Sequence, residues 1–354
     1  MSDRLAQEQH DSLDGIADPA ESQRLVGHAE AVDSVIDAYR HGKLHHALLL
    51  SGPRGVGKAT FAFQVARYLL ENPDPGVERV PFGGSDPDGS VFRQVASGAH
   101  PGVLHLTRPF DERGKKFKTS ITVDEMRKVS RFLSLRSHDG SYRIVIVDPA
   151  DDMNRNAANA LLKNLEEPPA RVLFLLVSHA PGSLLSTIRS RCQVARFQPL
   201  SQAEIETVLA GTNISLPANT DERRALLDGA AGSARNAILL AEHGGADIIA
   251  AADAYLEAAR KDPLEAYRLA DAVAGRDHEV RFAILNDHLL DRIASASSAA
   301  AMRGDTRHAA RLAELWNEAH GVIAETVTFN LDKRQHVVGL LDRVSAGLAR
   351  SAAG

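Results

Sequence analysis

The stretch Ala47-Leu-Leu-Leu-Ser51, followed by Gly52-Pro53-Arg54-Gly55-Val56-Gly57-Lys58-Ala59-Thr60, decides the fold class. A short apolar run closed by a turn signal fits a strand buried on both faces of a parallel sheet. The glycines that follow permit a tight turn whose backbone N–H groups converge on phosphate oxygens. A helix opening at Lys58 adds partial positive charge, and the lysine neutralises the outer phosphates. A chance glycine turn would lack the strand, the lysine or the helix; here all three stand in the order a phosphate-binding loop requires.

The match has two gaps. The residue after the lysine offers a hydroxyl to Mg²⁺ in such loops, and here it is Ala59. Thr60 does not replace it, because one helical position turns a side chain by about 100°. Backbone and Lys58 would still hold ATP or ADP weakly, with the metal poorly placed. Downstream, Ile144-Val-Ile-Val147-Asp148-Pro149 has the form of a Walker B strand ending in a Mg²⁺-associated aspartate. Such an aspartate alone often only caps a turn, but beside a phosphate loop it gains weight. The next position, where a glutamate would activate the attacking water, is Pro149. Together the gaps predict lost hydrolysis.

Outward from these motifs, residues 30–40 read as a helix with Val32, Val35, Ile36 and Tyr39 on one face, and 58–70 as a second helix. Residues 72–102, rich in Pro, Gly and Asp, read as an irregular connection. Further strands are expected at 103–107, 143–147, 172–177 and 194–197, and helices at 122–133 and 156–165. Thr122-Val-Asp-Glu125 has capping-box spacing. Residues 108–119, with Arg113, Lys115, Lys116 and Lys118, read as an exposed basic loop. Five strands alternating with helices predict a parallel sheet covered on both faces. From Ser201 onward only helical patterns remain, with a break at Gly244-Gly245 and helical spacing in Leu285, Leu289, Leu290, Ile293 and in Val337, Val338, Leu341, Val344.

Composition narrows the function classes. Of 41 basic and 46 acidic residues, residues 1–21 hold one and six, which leaves 40 of each in the body. A neutral body carries no bulk charge footprint of a stand-alone nucleic-acid binder. The acidic first 21 residues read as a flexible tail. Cys192 is the only cysteine, so an intrachain disulfide and a Cys-rich zinc site are excluded by count. His45 and His46 would point to opposite strand faces, and His41, His100 and His105 lack partners at ligand spacing, so no metal site is expected. The chain shows no membrane-length apolar run and no secretory signal layout, which predicts a cytoplasmic protein without a membrane partner.

Further segments carry a resemblance. These are His46-Ala-Leu-Leu-Leu50 into the phosphate loop, Ala157-Ala-Asn-Ala-Leu-Leu-Lys-Asn-Leu-Glu-Glu-Pro-Pro169, Leu184-Leu-Ser-Thr-Ile-Arg-Ser-Arg191-Cys192 and Gly232-Ser-Ala-Arg235. In this order, over roughly residues 22–245, the chain resembles the δ′ branch of the AAA+ clamp-loader subunits of bacterial DNA polymerase III. The resemblance implies that Arg191 is an arginine finger acting in trans on a neighbour's ATP site, Arg235 a sensor-2 arginine and Ser178 the sensor at its strand end. It also implies zinc-binding cysteines near residues 82–95, where this chain has none, so no zinc is expected and another local structure must stand there.

The expected architecture is α/β: an acidic tail (1–21), an AAA+ P-loop module with a parallel sheet (22–198), a small helical lid (199–246) and an all-α collar (247–350). The expected function is that of a non-catalytic clamp-loader subunit within a DNA polymerase, that is nucleotidyltransferase, holoenzyme. Its partners would be γ/τ and δ subunits and, through the complex, the β sliding clamp and primed DNA. The rivals are an active γ/τ-type AAA+ ATPase, against which Ala59 and Pro149 argue, and a stand-alone nucleic-acid-binding AAA+ protein.

Overall fold

A computed structural model describes residues 4–134, 141–275 and 278–349; the first three residues of the expected tail and position 350 of the expected collar lie outside them. The elements in chain order are α1 (Ala29–Arg40), β1 (Ala47–Ser51), α2 (Lys58–Glu71), α3 (Ser90–Ala96), β2 (Val103–Leu106), β3 (Phe110–Asp111), β4 (Lys116–Phe117), α4 (Val123–Ser134), β5 (Arg143–Val147), α5 (Arg155–Glu166), β6 (Val172–Ser178), α6 (Ser186–Arg189) and β7 (Gln193–Arg196). Eight helices follow: α7 (Gln202–Ala210), α8 (Thr220–Gly229), α9 (Ala234–His243), α10 (Ala246–Glu257), α11 (Pro263–Val273), α12 (Glu279–Met302), α13 (Thr306–Phe329) and α14 (Lys333–Ala349). By contacts the chain forms two units. The first holds residues 1–52 and 57–198, the second Pro53–Val56 and Pro199–Gly354.

In the first unit five strands pair in the order β2-β5-β6-β1-β7, all parallel. Every residue of β6 is buried, as are Ala47–Leu50 of β1 and Ile144–Val147 of β5. Strands covered by helices on both faces have no solvent side to which polar residues could alternate, which is why these three read as unbroken apolar runs. One face of the sheet meets Met126 and Val129 of α4 and Ala157, Leu161 and Leu165 of α5. The Asn154 side chain caps α5 by accepting from the Ala157 N–H at 2.9 Å.

Three expectations are corrected here. The connection 72–102 contains α3, whose Phe92, Val95 and Ala96 are buried. The segment expected to replace a zinc module is built on Phe82, which packs on Phe61 and Tyr68, and on Phe92, over which the Arg67 guanidinium lies at 4.6 Å. Upstream, the Asn72 side chain ties down Arg79 and Val80 through their backbone. The basic segment is a small antiparallel hairpin, β3 with β4, with Phe110 opposite Phe117. His45 and His46 precede β1 rather than lying within it, so their rings stack at 4.4 Å instead of opposing one another.

The acidic segment is also no free tail over residues 4–21. Arg4 pairs with the buried Asp18, and the fully buried Arg67 of α2 donates to the carbonyls of Ala20 and Ser22 at 2.7 Å each. A buried guanidinium without a carboxylate partner needs carbonyl acceptors, and this segment supplies them.

In the second unit the helices begin at side-chain caps: a Ser201–Glu204 capping box for α7, Asn219 for α8, Ser233 for α9 and Asp262 with Pro263 for α11. Gly244 and Gly245 both take positive φ at the turn from α9 to α10. Helices α8 and α9 pack on α10 and α12, so α7–α14 gather into one compact unit. Its core holds a polar chain. His336 meets the Asn286 carbonyl oxygen through Nε2 and the Thr326 hydroxyl through Nδ1, each at 3.0 Å. Burial pushes the His336 ring down from 6.5 to about 4. The folded ring stays neutral where the unfolded one takes a proton, so its contribution is intact above pH 6.5 and is lost as pH falls toward 4. The loss amounts to about 3 kcal/mol when complete. Thermal melts at pH 7.5 and 5.0 should therefore show lower stability at the acidic value, with a smaller difference in His336→Gln.

Candidate nucleotide site

Register sets the site. Ser51 of β1 stands opposite Ser178 of β6, and Val147 of β5 opposite Leu176, so the strands end at one edge of the sheet. The Gly52 N–H continues the ladder by donating to the Ser178 carbonyl at 3.3 Å. Gly52, Lys58, Asp148 and Ser178 thus gather at the carboxyl edge of adjacent parallel strands, where ligands of open α/β sheets bind.

The loop then enters α2 through Gly57, at φ 107°, and Lys58 is the first helical residue. Its side chain is buried, and Nζ donates to the Gly52 carbonyl at 2.6 Å. Backbone N–H groups at this helix N-terminus and the buried ammonium suit a phosphate. Ala59 and Thr60 follow as consecutive residues of α2, so the 100° offset between them holds. The methyl of Ala59 offers Mg²⁺ no oxygen. Gly52 has no room for a side chain: a Cβ there would stand 2.2 Å from the Phe197 carbonyl oxygen.

Pro53, Arg54, Gly55 and Val56 belong by contacts to the second unit, as does Arg235. There Gly55, at φ +73°, accepts from the Ala234 N–H at 3.1 Å, and a Cβ on it would lie 2.3 Å from Ser233 Oγ. Arg54 pairs with Asp287 at 2.7 Å. Arg235 sits in the first turn of α9.

Asp148 closes β5, its N–H donating to the Leu106 carbonyl of the neighbouring strand. Pro149 follows it, with no ionisable group. Sequence reasoning missed the acid three residues on. Asp151 accepts from Ser178 Oγ at 2.8 Å and from the His179 N–H at 2.5 Å. Burial pushes its carboxyl above the usual carboxylate range, against the pull of these two donors. Nothing in the sequence separates it from the neighbouring Asp148 and Asp152. Arg191 lies apart from the strand-end cluster, after α6, with Nη1 donating to the Thr187 carbonyl at 2.9 Å and Nη2 2.8 Å from Glu166 Oε1. Both side chains of that pair are partly exposed, at 35% and 47%. Among the described residues no group of three or more His, Cys, Asp or Glu is placed to hold a metal ion, and no helix is long and apolar enough to cross a membrane.

Residues 27–201 match the family model described as DNA polymerase III, delta subunit. DNA polymerase III subunit delta′ of Pseudomonas aeruginosa is 38% identical over 162 residues, 46% of this chain and 46% of that one. Over this segment, just under half of the chain, the protein is similar to the delta-prime subunits of DNA polymerase III. The Bacillus subtilis subunit delta′ is 37% identical over 177 residues, 49% of this chain and 48% of its own. A subunit gamma of Buchnera aphidicola is 30% identical over 227 residues, 64% of this chain and 58% of that one. The chain spans about half the length of the curated delta-prime relatives it matches. The span matched by the family model runs past Lys58, Asp148, Ser178 and Arg191 and ends before Arg235.

The steric test of this loop is direct. Gly52→Ala should destabilise the chain by roughly 1–3 kcal/mol, since the Phe197 backbone must move. Gly321→Ala, at a position of α13 with nothing within 4 Å, should stabilise by about 0.5–1 kcal/mol. Thermal denaturation of the two variants compares them.

Proposed function

We propose that this chain is a clamp-loader subunit that does not hydrolyse ATP and that assists ATP-using partners in opening a sliding clamp and placing it on primed DNA. The observation that carries this reading is the pair Ala59 and Pro149. At a strand-end cluster that otherwise suits phosphate, neither offers the oxygen that would hold Mg²⁺ or activate water. Arg191 supports the second half. Phosphoryl transfer builds charge on equatorial oxygens, and a guanidinium supplied in trans contributes ~10³–10⁵ in rate. Arginine's planar fork of donors suits phosphate better than an ammonium does, and Arg191 is partly exposed on its surface. The partners in this reading are γ/τ-type and δ subunits, with the β clamp and primed DNA met through the assembly. Within the first unit, Gly52, Lys58 and the N-terminus of α2, with Asp148 and Ser178, would hold ATP or ADP weakly and without turnover.

The resemblance to a gamma subunit favours one rival, an active motor-type ATPase. Mg²⁺-dependent ATP turnover by the purified chain, abolished by Lys58→Ala, would establish that rival and end the present reading.

Two outcomes are expected. Arg191→Ala should leave the chain folded and lower ATP turnover of the complex reconstituted with γ/τ-type and δ subunits; an unchanged rate removes the finger role. In calorimetry, whatever ATP affinity the isolated chain has should be nearly the same with and without Mg²⁺, and strong enhancement by the metal would contradict the part assigned to Ala59.

A further inference from the structure

The two groups that donate to Asp151 belong to one segment. Ser178 ends β6 and His179 follows it. From there the chain passes through a 3₁₀ turn at Pro181–Ser183 into α6, and α6 leads directly to Arg191. Ser183 Oγ, at the end of that turn, stands 3.4 Å from the same Asp151 Oδ1. Beyond Ser183 the segment is held by apolar burial at Leu184 and Ile188, which join the core cluster under β5 and β6, and at its far end by the partly exposed Arg191–Glu166 pair. Asp151 is thus the polar anchor at the upstream end of a stretch that carries a partly exposed arginine at its downstream end.

The anchor suits a buried acid in this place. A carboxylate accepts from a hydroxyl and a backbone N–H at once, one on each oxygen, and charge-assisted bonds of this kind are about twice as strong as neutral ones. Asparagine of the same shape would turn an N–H₂ toward one of the two donors. The Lys58 charge favours the ionised form of Asp151, while the neighbouring Asp152 opposes it. Asp152 itself is engaged by Arg108.

We infer that Asp151 is a positioning residue that fixes the Ser178–Arg191 segment and thereby sets where the Arg191 guanidinium stands. Its consequence for ATP turnover rests on the reading of Arg191 as a finger; the placement of the segment does not.

The chain carries its own reporter. Cys192, the sole cysteine, follows Arg191, packs partly into the core cluster, and is pushed up by burial to about 11. Its native-state reaction with a small thiol reagent is slow while the segment is held and speeds up when it opens. Asp151→Asn should accelerate labelling of Cys192 about tenfold, the scale of one lost bond to a charged group. Ser178→Ala, which removes one donor and keeps the His179 bond, should accelerate it less. Asp228→Asn, at an exposed site in the second unit, should not change it. In the complex reconstituted with γ/τ-type and δ subunits, Asp151→Asn should lower kcat for ATP with little change in KM. It should add nothing when Arg191→Ala is already present, because both act through one group.

An unchanged labelling rate in both Asp151→Asn and Ser178→Ala overturns the inference, and so do losses of turnover that multiply in the double variant. If Asp151→Asn does not fold, Ser178→Ala decides by the same measure. Faster labelling together with an Arg191→Ala complex of normal turnover upholds the anchor and removes the finger.

Discussion

Pairing of β6 with β1 on one side and β5 on the other is the constraint from which the rest of the first unit follows. All seven β6 residues are buried, so the strand has no freedom to slip by one position without exposing a face. Its register with Ser51 and Val147 lines up three strand ends, and the loop after β1, the acid after β5 and Ser178 itself meet at one edge. Phosphate chemistry at such an edge needs few side chains, because the helix end and the backbone do much of the binding. What distinguishes this site is therefore a handful of positions: Lys58, Ala59, Asp148, Pro149 and Asp151.

Lys58 and Asp151 show how those positions depend on one another. Both are ionisable groups buried at this edge. Lys58 turns back on its own loop at Gly52, while Asp151 holds the Ser178 hydroxyl and the chain beyond it. The field of the lysine nonetheless steadies the carboxylate.

Much of the sheet was legible because its signals are unambiguous. The runs at 47–50, 144–147 and 172–177 are apolar without alternation, and glycines or prolines bound them. Helix α3 was hidden because its seven residues sit within a stretch dominated by Pro, Gly and Asp, where about two turns bearing Phe92 and Val95 leave little periodic trace. The β3–β4 hairpin was masked by its lysines, whose charge says surface but nothing of pairing. Asp151 was passed over because Asp148, Asp151 and Asp152 look alike in the chain. Only the fold distinguishes an acid closing a strand from one holding Ser178 and one taken by Arg108. The acidic opening misled for a related reason. Composition reports how a segment is solvated alone, and these residues are held from outside by Arg67.

That arginine, its pKa pushed down to about 10 by burial, reaches back 47 residues to Ala20 and 45 to Ser22. During synthesis the leading stretch therefore leaves the ribosome well before its clasp exists, and it must wait undocked while α1 and β1 emerge. Any excised version of the first unit has to carry this forerunner along. Trimmed back to α1, it would leave the buried guanidinium without the two carbonyls that receive its protons.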